Sequence, residues 1–359
     1  MLDAKQKGSY GSGMSKLDQK ARAQIISLLC EGMSIRAITR LTGASKNTVA
    51  KLLVAVGHAV TAYQDKTLRN LKCQRVQMDE IWSFIYCKND NVKRAKSAPV
   101  EAGDVWTWTA IDADSKLLVS WYLGERNTDA ALHFVTDLRS RLANRIQLTS
   151  DGHRPYLTAV DAVFGNEVDY AMLNKIYGAD PQGQKRYSPA VCIGAEKRKI
   201  TGKPKKKHIS TSYVERANLT MRMHMRRFTR LTNAFSKKIE NHAATIALHS
   251  MFYNFVRIHQ TLKMSPAMAA GVTDKLWEVS DIVQVLEDFE NQRKAEPSFE
   301  IARERIGKEY FVRATLVNGA TETIHGFATE ADAAKWIRNE SVVWLYAKRQ
   351  SLKTKKATG

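Results

Sequence analysis

The sequence predicts an α/β protein flanked by two smaller parts, an all-α segment before it and a small α+β segment after it. Three observations predict this. Residues 17–56 carry apolar side chains at helical spacing only. From Arg75 the period changes, and aromatic and β-branched runs alternate with amphipathic stretches. After Pro297 a hairpin signal and one capped helix stand apart from the rest. The 359 residues are 44% hydrophobic and 26% charged, enough for two or three domains and a sizeable core. That composition excludes a disordered or collagen-like chain. No run of about 18 apolar residues predicts a membrane span. The opening MLDAKQKGSYGSGM has no apolar stretch for a secretory signal. Residues 1–14 are expected to be a disordered leader, with Met14 an alternative start.

The first helix is expected from about Leu17 to Cys30, with Leu17, Ala21, Ile25, Leu28 and Leu29 on one side. Glu31-Gly32-Met33 breaks it, and Ser34 caps a second helix, Ile35 to Leu41. After a Thr42-Gly43-Ala44 turn, Ser45 caps a third, Lys46 to Val56. Two short helices around a small glycine turn are the helix-turn-helix pattern, with Ile38, Ala44, Val49 and Leu52 at its packing positions. Thr39 departs from it, standing where a small alanine is usual. Ser45, Lys46, Asn47, Thr48 and Lys51 are left on the start and outer face of the third helix, where donors meet base edges and phosphates. A three-helix protein-docking bundle would use the same pattern. Residues 15–57 are assigned to this DNA-binding segment and 58–74 to a polar, helical connector.

Val76–Tyr86, Val105–Ile111 and Lys116–Leu123 read as three strands, the last two a hairpin around Asp112-Ala113-Asp114-Ser115. Thr128 is expected to cap a helix to about Leu142, with Ala131, Phe134, Val135, Leu138 and Leu142 inward. Ile146–Thr149 is a short fourth strand, followed by a helix near Tyr156–Phe164 and a strand near Glu167–Tyr170. Three strands, then helix, strand, helix, strand, is the element order of a ribonuclease H-like core. Residues 178–210 show no periodicity and read as a long basic loop. Helices are expected from Tyr213 to about Arg230, from Ser236 to Val256, and from Leu276 to Lys294 with Leu276, Val279, Ile282, Val283, Leu286 and Phe289 inward. His259–Ala270 is a loop with a Pro266 stop. The core is assigned to 75–275, a helical extension to 276–296, and a domain without readable chemistry to 297–359. In that domain strands are expected at Tyr310–Val317, Thr321–Gly326 and Val342–Ala347, with an Asn318-Gly319 turn and a helix capped by Thr329.

The net charge is +20, and most of it lies between Lys185 and Lys238, where only Glu196 and Glu215 oppose the lysines and arginines. A concentrated field of one sign attracts a polyanion, and nucleic acid is the obvious one. A solvated basic face would look the same. The four cysteines, Cys30, Cys73, Cys87 and Cys192, have no C-x-x-C spacing, so a zinc ribbon is not expected and a reducing cytoplasm is.

Three acids stand out by position. Asp79 interrupts the most apolar strand, where a carboxylate is costly unless a cation or donor compensates it. Asp151 follows a strand end, where open α/β sheets place ligands. Glu215 opens a helix whose Val214, Ala217, Met221, Met225 and Phe228 form an apolar stripe, with Glu215, Asn218, Arg222 and Arg226 along a second, exposed edge. Each has a plain alternative: Asp79 solvated beside Glu80 on an edge strand, Asp151-Gly152 an ordinary turn, Glu215 a capping box with Ser212.

The blocks MDEIWSF (78–84), DVWTWTAID (104–112), TSDGHRPY (149–156), SYVERANLTMRMHMRR (212–227), NAFSKKIENH (233–242) and YNFVRIHQTLKMSPAMAAG (253–271) resemble bacterial insertion-sequence transposases of the DDE type, and are most similar to the insertion sequence one family. The resemblance covers about residues 14–275. It implies a helix-turn-helix reader ahead of a ribonuclease H-like catalytic core, with the acidic triad on Asp79, Asp151 and Glu215. It implies double-stranded DNA as partner, a homo-oligomer on paired ends, no membrane, and a bacterial cytoplasmic setting. Two Mg²⁺ ions, for which Mn²⁺ substitutes, suit such carboxylates. On this reading Asp79 is shared by both ions, while Asp151 and Glu215 each hold one. Hydrolysis frees a 3′-hydroxyl that then attacks target DNA, with no serine or tyrosine nucleophile. Asn218, Arg222, Arg226 and the basic run containing Lys197, Arg198, Lys199, Lys205, Lys206 and Lys207 would hold phosphates; Trp82 or His153 could touch flanking DNA, with core packing the preferred role for Trp82. Two rival readings keep the fold: a catalytically silent DNA-binding regulator, and a structure-selective nuclease.

Overall fold

The computed structural model describes residues 17–178, 192–228, 234–295, 297–303, 309–316, 320–341 and 343–345. The expected leader, 1–14, lies outside the described residues. The chain divides into two compact units, Met1–Leu286 and Glu287–Gly359.

Unit one opens with α1 (Gln19–Cys30), α2 (Ile35–Thr42) and α3 (Lys46–Thr67). Their starts are set by caps: Asp18, Ser34 and Ser45 each accept a hydrogen bond from the backbone N–H three residues on. Gly43 closes α2 at φ 74°, a conformation that favours glycine. Ile38 and Val49 are fully buried. Ser45, Lys46, Asn47 and Lys51 are exposed and Thr48 is half-buried. Thr39 Oγ1 is buried without a hydrogen-bond partner. The expected break at Val56 is absent. The segment expected as a connector is, to Thr67, the second half of one 22-residue helix. Its burial also exceeds the expectation, since Ala59, Val60, Leu68, Leu71 and Cys73 all lie in the core.

The main sheet contains β1 (Arg75–Ile85), β2 (Gly103–Asp112), β3 (Leu118–Gly124), β4 (Gln147–Ser150), β5 (Asp169–Tyr177) and β6 (Cys192–Thr201), in the order β3-β2-β1-β4-β5-β6. β1 to β3 form an antiparallel meander, β4 and β5 continue parallel to β1, and β6 returns antiparallel to β5. The helices of this unit are α4 (Asn89–Val92), α5 (Thr128–Arg141), α6 (Pro155–Phe164), α7 (Ser212–His224), α8 (Ile239–Met251) and α9 (Pro266–Ala269), followed by α10 (Val279–Ala295). This mixed α/β arrangement is consistent with a ribonuclease H-like core.

Side chains alternate across β1. Glu80 faces the Tyr156 of α6. Gln77, Asp79, Ile81 and Ser83 face α7 and α8, where Ile81 packs with Met221, Met225, Phe228 and Ile246 and Ser83 hydrogen-bonds His242. Ile111 packs with Val214 and Ala217, so the apolar stripe of α7 lies where its periodicity requires. α8 also carries α3. A Cβ on Gly57 would fall 2.5 Å from the Ala244 Cβ, and Gln64 accepts from Ser250 Oγ at 2.8 Å while donating to the Ala247 carbonyl at 3.3 Å.

Several elements correct the expectation. Residues 178–210 are not a loop throughout, because 192–201 form β6. β6 is an edge strand whose residues 195–199 are all exposed; with neither face covered, no alternation marks it. β5 continues to Tyr177 rather than stopping at Tyr170. Asn127, not Thr128, caps α5, accepting from Ala130 N at 2.9 Å. α7 ends at His224 rather than Arg230, and a 3₁₀ turn, Arg226–Phe228, follows. α8 passes into a π-helical turn, Phe252–Val256. Pro266 starts a helix instead of stopping one, in the first-turn position its missing N–H permits. Leu276 is exposed, whereas Ile282, Val283 and Leu286 are buried.

Unit two holds β7 (Ser298–Arg303), β8 (Tyr310–Thr315) and β9 (Thr321–Phe327) in an antiparallel sheet, and α11 (Glu330–Asn339). Thr329 and Asp332 form a capping box at the start of α11. Phe299, Val312, Ala314, Phe327 and Ala333 make its core, joined by Trp336 and Trp344. The third strand is therefore β7, and residues 343–345 of the expected strand are helical. The Asn318-Gly319 turn lies outside the described residues.

Candidate active site

β1 is a central strand, which rules out the solvated-edge alternative for Asp79. β4 pairs with β1 only from Arg75 to Gln77. Beyond Gln77 that side of β1 is open, and Asp151, just past the end of β4, faces it. The carboxylates of Asp79, Glu80 and Asp151 consequently meet, each offering an oxygen within 4.8 Å of the others. Among the described residues this is the cluster that could hold a metal ion. Asp151 Oδ1 accepts from the His153 backbone N–H at 3.0 Å, which fixes the turn after β4. Gly152 allows β5 to approach: a Cβ there would lie 2.4 Å from Asn174 Oδ1, an oxygen that is itself buried and without a partner.

The site is bolted to α7 by β1 itself. Gln77 Oε1 accepts from the backbone N–H groups of Tyr213 and Val214 at 2.8 and 3.1 Å, satisfying two first-turn donors that have no acceptor within the helix. One turn further, Asn218 Nδ2 donates to Asp79 Oδ2 at 2.8 Å, and Asn218 Oδ1 accepts from Thr109 Oγ1 at 3.0 Å. Asn218 is thus buried and holds the Asp79 carboxylate; it is not on the exposed phosphate-holding edge expected of it. Arg226 lies beyond the end of α7, so it does not continue that edge. Arg222 is half-buried on α7.

Asp79, Asp151 and Glu215 line one cleft of about 800 Å³, together with Arg126, His153, Lys175, Tyr177 and Thr211. Glu215 stands apart from the tight cluster. Lys175 is ion-paired to its Oε2, and Thr211 Oγ1 donates to its Oε1. The capping box with Ser212 is therefore not what engages this carboxylate.

Burial, and then the charges of Glu80 and Asp151, push the Asp79 carboxyl up to about 7, only partly offset by the Glu80 backbone N–H and Asn218. Burial and Asp151 also raise Glu80. Its compensation is explicit: Arg126 Nε donates to Oε1 at 2.8 Å and Tyr156 Oη to Oε2 at 3.0 Å. Burial and Arg126 lower the His153 imidazole, and its Nε2 is buried without a partner. Lys175 is raised, burial notwithstanding, by Glu215. Trp82 is half-buried against Phe84, with Lys88 over its ring.

Sequence reasoning does not reach Glu80, Arg126, Lys175 or Gln77 as members of the site. Period two sends Glu80 to the opposite face of β1 from Asp79; the gap beside β4 lets both reach Asp151. Lys175 lies on the half of β5 that sequence patterning does not mark. The positive charge of β6, including Lys197, Arg198 and Lys199, is exposed at the sheet edge. Lys205, Lys206 and Lys207 follow it and are exposed, except that Lys197 Nζ donates to the Lys206 carbonyl.

No family model and no curated protein matches the chain. Among solved structures, a chain in the simian T-cell lymphotropic virus intasome in complex with PP2A regulatory subunit B56 gamma is similar over 85% of this chain and 96% of that one, at 12% identity and a TM-score of 0.34. A chain in a pre-cleavage Mos1 transpososome is similar over 45% of this chain and 61% of that one, at 10% identity and a TM-score of 0.18. Scores at this level lie below those of chains sharing a fold, so the architecture rests on the strand order itself. No helix among the described residues is long and apolar enough to cross a membrane.

Proposed function

We propose that the chain is a metal-dependent DNA transposase of the DDE type, related to the insertion sequence one family, which cuts transposon-end DNA and joins it to target DNA. One observation carries this reading: Asp79, Asp151 and Glu215, remote in sequence, line one cleft in a unit whose edge strand is strongly basic. The donor set fits a hard divalent cation. It is all carboxylate oxygen, and the compensation is uneven. Arg126 serves Glu80 and Lys175 serves Glu215, whereas Asp79 is met by a neutral amide and Asp151 by a backbone N–H. Asp79, Asp151 and Glu215 would hold Mg²⁺, or Mn²⁺ in its place, as a pair of ions. Such ions, when bound, draw charge from the phosphodiester oxygens during in-line displacement.

The chain's own residues do the rest. Asn218 and Thr109 keep the Asp79 carboxylate turned into the cleft. Lys197, Arg198, Lys199, Lys205, Lys206, Lys207, Arg222 and Arg226 supply positive charge for phosphates. Ser45, Lys46, Asn47, Thr48 and Lys51, at the head of α3, act as the helix-turn-helix readers of the DNA end. Paired ends are held by a homo-oligomer. The test uses purified protein, Mg²⁺ and DNA carrying the terminal inverted repeats that flank its gene. Strand cleavage and joining are expected, and Asp79→Asn loses both while keeping the DNA affinity that the parent shows without the metal. A variant that cuts at the parental rate removes the triad assignment.

A further inference from the structure

Lys175 stands in the cleft with no part in the chemistry just described. It extends from β5, opposite Ala195 of β6, and its ammonium is paired with Glu215 Oε2. With Thr211 Oγ1 on Oε1, both oxygens of Glu215 are engaged. Glu215 is accordingly outside the trio whose oxygens lie within 4.8 Å of one another, although it lines the same cleft. Arg126, also a cation of the cleft, is held by the buried Glu80 through two nitrogens. Lys175 is held differently. Its side chain and that of Glu215 are 31% and 38% exposed, and an ion pair so open to water costs little to exchange. An ammonium on a flexible stem can turn from a carboxylate to a phosphate without a fixed fork to realign.

We propose that Lys175 couples DNA to the cation. In the DNA-free protein it holds Glu215. When DNA enters the cleft the ammonium passes to a backbone phosphate, and Glu215 is released to the cation held by Asp79 and Asp151. The proposal rests on the transposase reading for the identities of substrate and ion. Lys175 is then a positioning residue, acting through Glu215. Linkage makes the effect reciprocal: DNA tightens cation binding and the cation tightens DNA binding by the same factor.

The test measures Mn²⁺ affinity by electron paramagnetic resonance of the free ion. The full chain is used, with and without a short blunt duplex that lacks the inverted repeat, and Mn²⁺ held by the duplex alone is subtracted. The parent is expected to bind Mn²⁺ roughly 5- to 10-fold more tightly with DNA present. Lys175→Met keeps the stem and removes the charge. It is expected to bind Mn²⁺ in the absence of DNA about as tightly as the parent does with DNA, and to gain nothing further from the duplex. Circular dichroism confirms that the variant is folded. Unchanged or weaker Mn²⁺ affinity in DNA-free Lys175→Met overturns the coupling, as does a duplex effect equal to the parent's. Asp79→Asn in the same assay separates the two claims. If it binds Mn²⁺ as the parent does, the cation site is wrong whatever Lys175 does. If it loses Mn²⁺ while Lys175→Met changes nothing, only the coupling fails.

Discussion

Replacing Asp79 by asparagine should make the metal-free protein more stable, not less. The Asp79 carboxyl is lifted from 3.8 to about 7 by burial and by Glu80 and Asp151. An acid whose folded value lies above its unfolded value binds more protons in the native state between the two. Stability therefore falls as pH rises through that window, and the full cost is present above about pH 7. A shift of this size corresponds to roughly 4 kcal/mol. Asparagine is neutral and nearly isosteric, and its amide oxygen can still accept from Asn218 Nδ2. Asp79→Asn should raise unfolding stability by about 2–4 kcal/mol near pH 8, with the lower end allowing for relaxation and water entry. The gain should vanish near pH 4. Urea unfolding followed by circular dichroism at both pH values reads this directly. Adding Mg²⁺ should then stabilise the parent and leave the variant unmoved. A variant less stable than the parent near pH 8, or a difference independent of pH, would show that burial and the neighbouring acids do not leave the Asp79 charge uncompensated, and the argument for a cation there would go with it.

Three further outcomes follow from the packing and the charge. Gly57→Ala drives a methyl into Ala244, whose Cβ and Cα lie 2.5 and 2.6 Å from the new atom, and should cost about 1–3 kcal/mol in urea unfolding. His242 and His249 are buried and lowered from 6.5 to about 3; burial is the first cause for each, so both fold neutral. Stability should fall as pH drops from 6.5 toward 3, at about 1.4 kcal/mol per pH unit for each. Asp79 opposes this slope in the same window, so the measurement belongs in the Asp79→Asn background, where replacing His242 by glutamine should flatten the curve. On the proposed function, converting Lys197, Arg198 and Lys199 together to alanine should reduce the slope of log affinity against log salt by about 0.9 for each phosphate no longer neutralised, as read by fluorescence anisotropy.

What is legible in the chain is whatever breaks a local rule. Asp79 is an acid inside an apolar run, Asp151 follows a strand end, and Glu215 opens an amphipathic helix; these anomalies single out the three, and they line one cleft. The stripe from Val214 to Phe228 is equally readable, because one buried face leaves a helical period. The elements that escape notice leave no period. β6 has no covered face, so nothing alternates along it. The outer half of β5, from Lys175 to Tyr177, projects toward solvent in the same way, and Lys175 is hidden with it. The sequence suggests an end to α3 at Val56 because the residues after it are polar enough for a connector. Yet at Gly57 α3 lies close against Ala244 of α8, and a glycine serving close approach reads the same as one ending a helix.

The convergence of the acids has a local cause, and that cause can be tested without any activity. Three residues on one face of β1 each take hold of α7. Gln77 caps its first turn, Asp79 accepts from Asn218, and Ile81 packs with Met221. Together they fix both the rotation and the axial position of the helix, so the backbone of Glu215, between the capped amides and Asn218, is held beside the cleft while its side chain keeps its torsional freedom. Of the three, Gln77 makes a polar contact to α7 without belonging to the acid cluster. Gln77→Leu fills the same space but leaves the Tyr213 and Val214 N–H groups without an acceptor, at a cost of about 1–3 kcal/mol. Gln77→Glu keeps an acceptor in place; the favourable site for negative charge at a helix N-terminus is set against the cost of burying that charge on the face that carries Asp79. Amide hydrogen exchange at Tyr213 and Val214, which reads the acceptor rather than the buried charge, should therefore accelerate in Gln77→Leu alone. Equal exchange in the two variants would mean that α7 is held by its apolar stripe, and that β1 does not set the place of the third carboxylate.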